Sequence, residues 1–298
     1  MGVLFGRRAV LQMRNVEVDG LRVSFKIEKN HAPEPNSAEI SVWNLSRDTR
    51  AQLLGVSQTD YATGARTTYT QSNVKRSMPI ALHVGYGSDI EQIFVGDILR
   101  DGISTTRDGG DWVTTFKAGD GAEAYRTARI QESFAKGAKV GDVIKKLAQN
   151  LGVNAEKALA EVRQGNLVGG LTEFFEGTVL SGKVSDELTR LCDSVGYEWS
   201  VQDDQLQVIE KGGWSNDQVV VLGPETGLVG SPEPGQNKKD KPALTKFRSL
   251  LQPAIRPLRR VQIESEEVNG IFVVFQVTHS GDTSGSDWYS DCEARPIS

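Results

Sequence analysis

Cysteine, histidine and long apolar runs are scarce in this chain, and each scarcity removes a class of function. The two cysteines, Cys192 and Cys292, stand a hundred residues apart and fit no metal-ligand spacing. Free thiols made in a reducing cytoplasm are the simplest reading. No apolar run is long enough to span a bilayer, so membrane insertion is not expected. Arg7-Arg8 is followed by only Ala9-Val10-Leu11 before Gln12, too short for the apolar core of a signal peptide. Of the three histidines, His31 and His83 are isolated in the sequence. No Cys-His-Asn set, Ser-His-Asp set or carboxylate pair stands out as catalytic, so no catalytic residue, metal or cofactor is assigned.

What is present is polar and rich in turns. The 298 residues are 38% hydrophobic and 24% charged, with 31 glycines, which fits a soluble globular protein of two or three domains. The net charge of −5 gives no long-range attraction to nucleic acid, and none is expected as a specific partner.

Alternation of period two marks most of the N-terminal third as strand. Leu21, Val23, Phe25 and Ile27 alternate with charged and polar neighbours, Pro33-Glu34-Pro35-Asn36 turns, and Ile40 and Val42 resume the pattern. Ser46 reads as the cap of a short helix, Arg47 to Leu54, stopped by Gly55. Residues 56–77 carry no apolar period and read as a long loop or flap, expected to be mobile alone and to order against a neighbour. Ile80 to Tyr86, Ile90 to Ile98 and Trp112 to Ala118 supply further strands.

The middle of the chain changes period. Val140 to Ala148, ending near Gly152, and Val184 to Val195, ending at Gly196, are amphipathic helices. They match at an offset of 183 − 139 = 44, either as a repeat or because amphipathic helices with a glycine stop look alike. Asn154 caps a third helix with Ala155, Ala158, Leu159 and Val162 on one face. Tyr197 to Val208, turning at Asp203-Asp204, is a hairpin. Gly223 to Lys241 reads as a surface loop, and Asn269-Gly270 as the tight turn of a hairpin begun by Val261 and Ile263.

Two stretches far apart resemble each other. Ile93-Phe94-Val95, a polar loop and Asp111-Trp112 recur as Ile271-Phe272-Val273, a polar loop and Asp287-Trp288. The offsets are 271 − 93 = 178 and 287 − 111 = 176, and Pro79-Ile80 recurs as Pro257-Leu258 at 178. So long a period is not a solenoid; it is what one β-domain occurring twice would give. The expected fold is α+β and β-rich. Its divisions are a first antiparallel β-barrel or sandwich over 1–118, a small α+β domain over 119–212 and a second β-domain over 213–298.

Three stretches could carry chemistry, and each has a plainer reading. Gly177 to Lys183 has the glycine and lysine spacing of a phosphate-binding loop, but Val184 stands where the magnesium-binding Ser or Thr belongs, so it reads as a loop before a helix. His279, Asp282 and Asp287 share one polar loop in which short side chains cap their own backbone. Lys238-Lys239-Asp240-Lys241 and Arg256, Arg259 and Arg260 read as a solvated loop and a strand edge, or as contacts to an acidic partner. Trp112 and Trp288 read as core anchors, each at the start of a strand.

Pro35 to Ser46 with a following Arg50, Gly227 to Pro232, Ser249 to Pro253, and His279-Ser280-Gly281-Asp282 leading to Asp287-Trp288-Tyr289 resemble, in order, segments of phage tail hub proteins. The resemblance is to baseplate hubs of contractile-tailed phages, Mu-like and late control D-like, with Pro257-Leu258 where Pro-Gly is expected. It implies two domains shaped like tail-tube subunits and a homotrimer matching a sixfold tube to a threefold spike. The implied partners are a tail tube or tube-initiator protein, the central spike protein and the end of the tape-measure protein. The implied location is the virion baseplate after synthesis in the host cytoplasm. Ile93, Phe94, Asp111, Trp112, Ile271, Phe272, His279, Asp282, Asp287 and Trp288 are then structural hairpin markers. The alternatives are a hub-associated cell-wall hydrolase, for which Glu173, Glu176 and Asp186 lie near one another but at a spacing that follows no catalytic template, and the hub of a tailocin or related injection machine.

Overall fold

The computed structural model describes residues 6–14, 16–54, 58–59, 66–67, 78–156, 158, 177–235 and 243–297. The first β-unit contains β1 (Arg7–Met13), β2 (Val16–Val18), β3 (Val23–Asn30), β4 (Ser37–Trp43) and helix α1 (Arg47–Leu54). After the two-residue strands β5 (Gln58–Thr59) and β6 (Arg66–Thr67) come β7 (Met78–Tyr86), β8 (Asp89–Asp108) and β9 (Asp111–Gly119). The inward phase expected of β3 holds: Val23, Phe25 and Ile27 are buried beside Ile40 and Val42 of β4. Ser46 caps α1 by accepting the Thr49 N–H at 3.0 Å; Gly55 and most of 56–77 lie outside the described residues.

The middle unit holds α2 (Ala122–Thr127), β10 (Arg129–Phe134), α3 (Val140–Leu151), β11 (Thr178–Lys183), α4 (Val184–Ser194), β12 (Tyr197–Gln202) and β13 (Gln205–Glu210). Gly152, at φ 72°, takes the left-handed cap that ends α3, a conformation that favours glycine. The inner faces of α3 and α4 pack with Trp199, Val201 and Leu206 of the β12–β13 hairpin into one core. Asn154 accepts the Glu156 N–H at 2.8 Å, as a cap would; Leu159 and Val162 lie outside the described residues.

The second β-unit holds β14 (Val220–Leu222), β15 (Leu228–Glu233), β16 (Thr245–Leu250), β17 (Arg260–Glu264), β18 (Asn269–Asp282) and β19 (Trp288–Pro296). The stretch expected to be a loop after Gly223 therefore contains β15, and residues 236–242 lie outside the described residues. The turn between β17 and β18 is Ser265 to Val268, not Asn269-Gly270. Ser265 Oγ bonds both backbone groups of Val268, and Asn269 opens the strand while its side chain bonds back to Ser265.

Apart from β5 and β6, the strands of the two β-units join one thirteen-stranded sheet in the order β15-β16-β19-β18-β3-β4-β9-β8-β7-β1-β2, with β17 also on β18 and β14 parallel to β17, while β10-β11 and β12-β13 form separate two-stranded sheets. Two runs share one order: β3-β4-β9-β8-β7 and β15-β16-β19-β18-β17. Pairing fixes their correspondence. Ala118 faces Ile98 as Ala294 faces Val274, and Phe116 faces Ile103 as Cys292 faces Val277. The hairpin offset is therefore 294 − 118 = 176 along the second strand and 277 − 103 = 174 beyond the bulge in the first. Both strands continue through what the sequence offers as polar loops, β8 to Asp108 and β18 to Asp282.

Candidate functional site: an open edge, a polar face and a buried junction

Each β-unit turns one face inward and the other to solvent, because side chains alternate across a strand. Glu39 and Lys117, Lys246 and Glu293, and Arg248 and Asp291 stand on the outer face at 3.6, 3.2 and 2.6 Å, each pair on adjacent strands. Lys26 and Glu28 pair along β3 at 2.6 Å. The face is thus polar with its charges locally compensated, and such exposed pairs add little stability. Over β15, β16, β19 and β18 it hollows into a cleft of ≈ 430 Å³ lined by Glu233, Lys246, Arg248, Asp291 and Glu293.

The two β-units meet where β3 pairs with the distal half of β18, from Asn30 opposite Gln276 to Ser24 opposite Asp282. Arg22 grips Asp282 with two bonds, at 3.1 and 2.8 Å, and that guanidinium holds the carboxyl below its usual range against the opposing effect of burial. Trp288 crosses this joint. It is 1% exposed, belongs to the core of the first unit, and meets Phe25 edge-on at 5.5 Å.

Behind the joint the middle unit plugs in through a buried charged turn. Asp203 and Asp204 both have positive φ, 54° and 62°, the two-residue turn that matches strand twist. Lys29 Nζ donates to both Asp203 oxygens at 2.7 Å, and Arg256 Nη1 lies 2.9 Å from Asp203 Oδ2. The Asp203 and Asp204 N–H groups donate to Asp120 at 2.6 and 3.2 Å, and Asn36 Nδ2 donates to Val201 O and Gln202 Oε1, both at 3.0 Å. Burial, then the neighbouring Asp203 charge, pushes the Asp120 carboxyl up to about 7, with Lys29 opposing. Lys29, Asp120, Asp203 and Arg256 thus tie all three units together. The sequence signal for Lys29 is its place in the inward phase of β3, where an apolar residue is expected.

The predicted site residues scatter over this frame. Ile93, Phe94 and Phe272 are buried, but Ile271 is 41% exposed. Trp112, expected in a core, is 40% exposed, with the guanidinium groups of Arg50 and Arg107 at 4.6 and 5.4 Å from its ring. Asp111 Oδ1 accepts from Asn44 Nδ2 at 2.9 Å. His279 is not in a loop: it is buried inside β18, with Nδ1 2.8 Å from Ser290 Oγ. Asp282 caps its own turn by accepting the Ser284 N–H at 2.9 Å, and the Asp287 carbonyl receives the Asp282 N–H at 2.8 Å. The stretch before Val184 is strand β11 rather than a loop, and its extended backbone forms no phosphate cradle. Arg256 and Arg259 are partly buried ion-pair partners of Asp203 and Asp217, not a solvated edge. Lys238 to Lys241, Glu173 and Glu176 lie outside the described residues; Asp186 sits in the first turn of α4. Among the described residues no group of three His, Cys, Asp or Glu side chains could hold a metal, both cysteines are free and buried, and no helix is long and apolar enough to cross a membrane.

A duplicated β-unit on one sheet, with a small α+β unit locked behind the joint, is the fold of tail proteins from phages and related machines. The chain is similar over 98% of its length to 97% of a 43 kDa tail protein of prophage MuSo2 from Shewanella oneidensis (10% identity, TM-score 0.64). It is similar over 97% of its length to 96% of a tail protein from Neisseria meningitidis MC58 (11% identity, TM-score 0.63). A third likeness covers 97% of the chain and 77% of the E. coli c3393 protein, a type VI secretion component (10% identity, TM-score 0.56). No curated protein sequence matches it. The model of the family described as baseplate hub gp41 matches residues 7–293, and the chain belongs to that family. Its role is a structural one in the baseplate of a phage tail, which places it in the virion.

Proposed function

We propose that this hub works as a trimer whose duplicated tube-like β-units, over 1–118 and 213–298 and joined by the small α+β unit of 119–212, form a six-unit ring. Such a ring presents sixfold geometry to the tail tube or tube-initiator protein and threefold geometry to the central spike protein, with the tape-measure protein ending in the lumen. The observation that carries the reading is the repeated strand order β3-β4-β9-β8-β7 and β15-β16-β19-β18-β17 within one sheet. Two like units per chain convert three copies into six positions. The charge-compensated outer face suits a lumen wall, because it offers passing polyanion no net attraction.

The experiment is to image the purified full chain alone and mixed with the tube and spike proteins of its own gene cluster. The expected result is a closed three-chain ring with six similar lobes, formed alone or on mixing. A chain that binds neither protein and forms no ring under any mixture defeats the reading.

A further inference from the structure

We infer that each copy closes on the next by adding its β15 to the open distal edge of β8, with Trp112 as the anchor of the joint. This rests on the ring reading above and adds which edges meet and in what register. The template is inside the chain: the distal half of β18, residues 276–282, pairs with β3, and Trp288 crosses to pack on Phe25.

The first unit repeats one half of that template without a partner. The offset beyond the bulge maps 276–282 onto 102–108 (276 − 174 = 102; 282 − 174 = 108), and no described strand pairs with the far edge of that segment. Trp112 stands opposite Arg107 as Trp288 stands opposite Gly281. It shares the phase of Thr114, Phe116 and Ala118, which face the core, yet it is 40% exposed. A tryptophan exposed beside an unpaired strand edge is the kind of residue that dominates an interface once covered.

The second unit repeats the other half. β15 lies on β16 as β3 lies on β4, and no described strand takes its other edge. Leu228 faces Ser249 as Val23 faces Val42, and Val229 faces Arg248 as Ser24 faces Ser41. Glu233 faces Lys246 as Lys26 faces Glu39. The bulge residues Gly230-Ser231-Pro232 therefore stand where β3 has Phe25, giving small side chains opposite the incoming indole. Carried across copies, the internal register sets Val229 of one copy opposite Asp108 of the next, and Glu233 opposite Thr106. An unpaired strand edge is a template for such addition, and closing the ring would cover both of these edges in every copy.

The test uses the full chain carrying Asp108→Cys with Val229→Cys; both sites lie on the outer face, and Cys192 and Cys292 stay as buried thiols. Mild oxidation of the assembled protein is expected to give a covalent trimer on non-reducing gels, and neither single variant should. Ser24→Cys with Asp282→Cys, the internal pair, closes within one chain and gives the reference rate. Trp112→Ala is expected to weaken assembly at least about tenfold while leaving the unfolding midpoint of the unassembled chain near that of the parent. Trimers that form but do not cross-link in the double variant, and that survive Trp112→Ala unchanged, overturn this joint and leave the ring standing. A chain that never assembles, alone or with its tube and spike proteins, overturns the ring and the joint together.

Discussion

Trp112 and Trp288 hold equivalent places in the two β-units, yet one is 40% exposed and the other 1%. The difference lies in what stands opposite and what stands beyond. Trp288 faces Gly281, which leaves the indole free to reach Phe25 across the joint, with Tyr86 also edge-on at 6.4 Å. Trp112 faces Arg107 and has no strand beyond it among the described residues. The same position therefore serves as core in one unit and as surface in the other. What decides is whether a neighbouring β-unit is already supplied by the chain.

The largest effect follows directly. Trp288→Ala removes a buried ring from the first unit's core, and we expect it to lower stability by about 3–5 kcal/mol. Trp112→Ala removes an exposed ring held by two guanidinium contacts, and in the unassembled chain we expect a loss of no more than about 1 kcal/mol. Urea unfolding of both variants checks the contrast, and equal losses would erase it.

This contrast also marks how far the sequence could be read. Alternation placed β3, β4, β7 and the β12–β13 hairpin, and Ser46 and Gly152 marked a helix start and a helix end, because each of those signals is local. The distal half of β8 was hidden because Ser104 and Thr106 face outward while Thr105 faces Thr114, so no apolar alternation remains. β15 was hidden by Gly230 and Pro232, loop residues that an open, bulged edge tolerates. The duplication was legible, but sequence matching set Ile271 on Ile93, an offset of 178, whereas pairing with the following strand gives 176. A slip of two keeps Phe272 matched to an equally buried Phe94, so the pattern largely survives the error, but it sets the exposed Ile271 on Ile93, which a bulge turns into the core. The junction of Lys29, Asp120, Asp203 and Arg256 could not be read, because its members come from four separate stretches; only Lys29, a charge in the apolar phase of β3, hinted at it.

A second way to sharpen the comparison is the residue opposite each tryptophan. A Cβ on Gly281 would overlap Phe25 Cζ and lie 2.8 Å from Trp288 Cε3. Gly281→Ala should therefore force the two rings apart and cost about 1–3 kcal/mol. Arg107→Ala, at the matching place, should change the stability of the unassembled chain by no more than about 0.5 kcal/mol. Thermal unfolding would show both, and a harmless Gly281→Ala would mean that Trp288 does not need this close approach.

The smallest effect is a pH dependence confined to the second unit. His279 occupies the place of Thr105, and Ser290 that of Thr114: the first pair is 2.8 Å apart, the second 3.3 Å. Burial, helped by the nearby Lys29 and Arg256 charges, lowers the His279 pKa from 6.5 to about 3. The folded chain thus holds this imidazole neutral while the unfolded chain takes up a proton below 6.5. Its contribution is fully present above 6.5 and is lost as pH falls towards about 3. From these values the loss at pH 6 is roughly 1 kcal/mol relative to pH 8. Asp120 works in the opposite sense: raised from 3.8 to about 7, its contribution is present below 3.8 and lost as pH rises through 7. Subtracting the stability of His279→Thr from that of the parent at each pH cancels Asp120 and isolates the imidazole. The difference should fall by roughly 1 kcal/mol from pH 8 to pH 6. A flat difference would mean that the second unit lets water reach His279 and is no better sealed than the first.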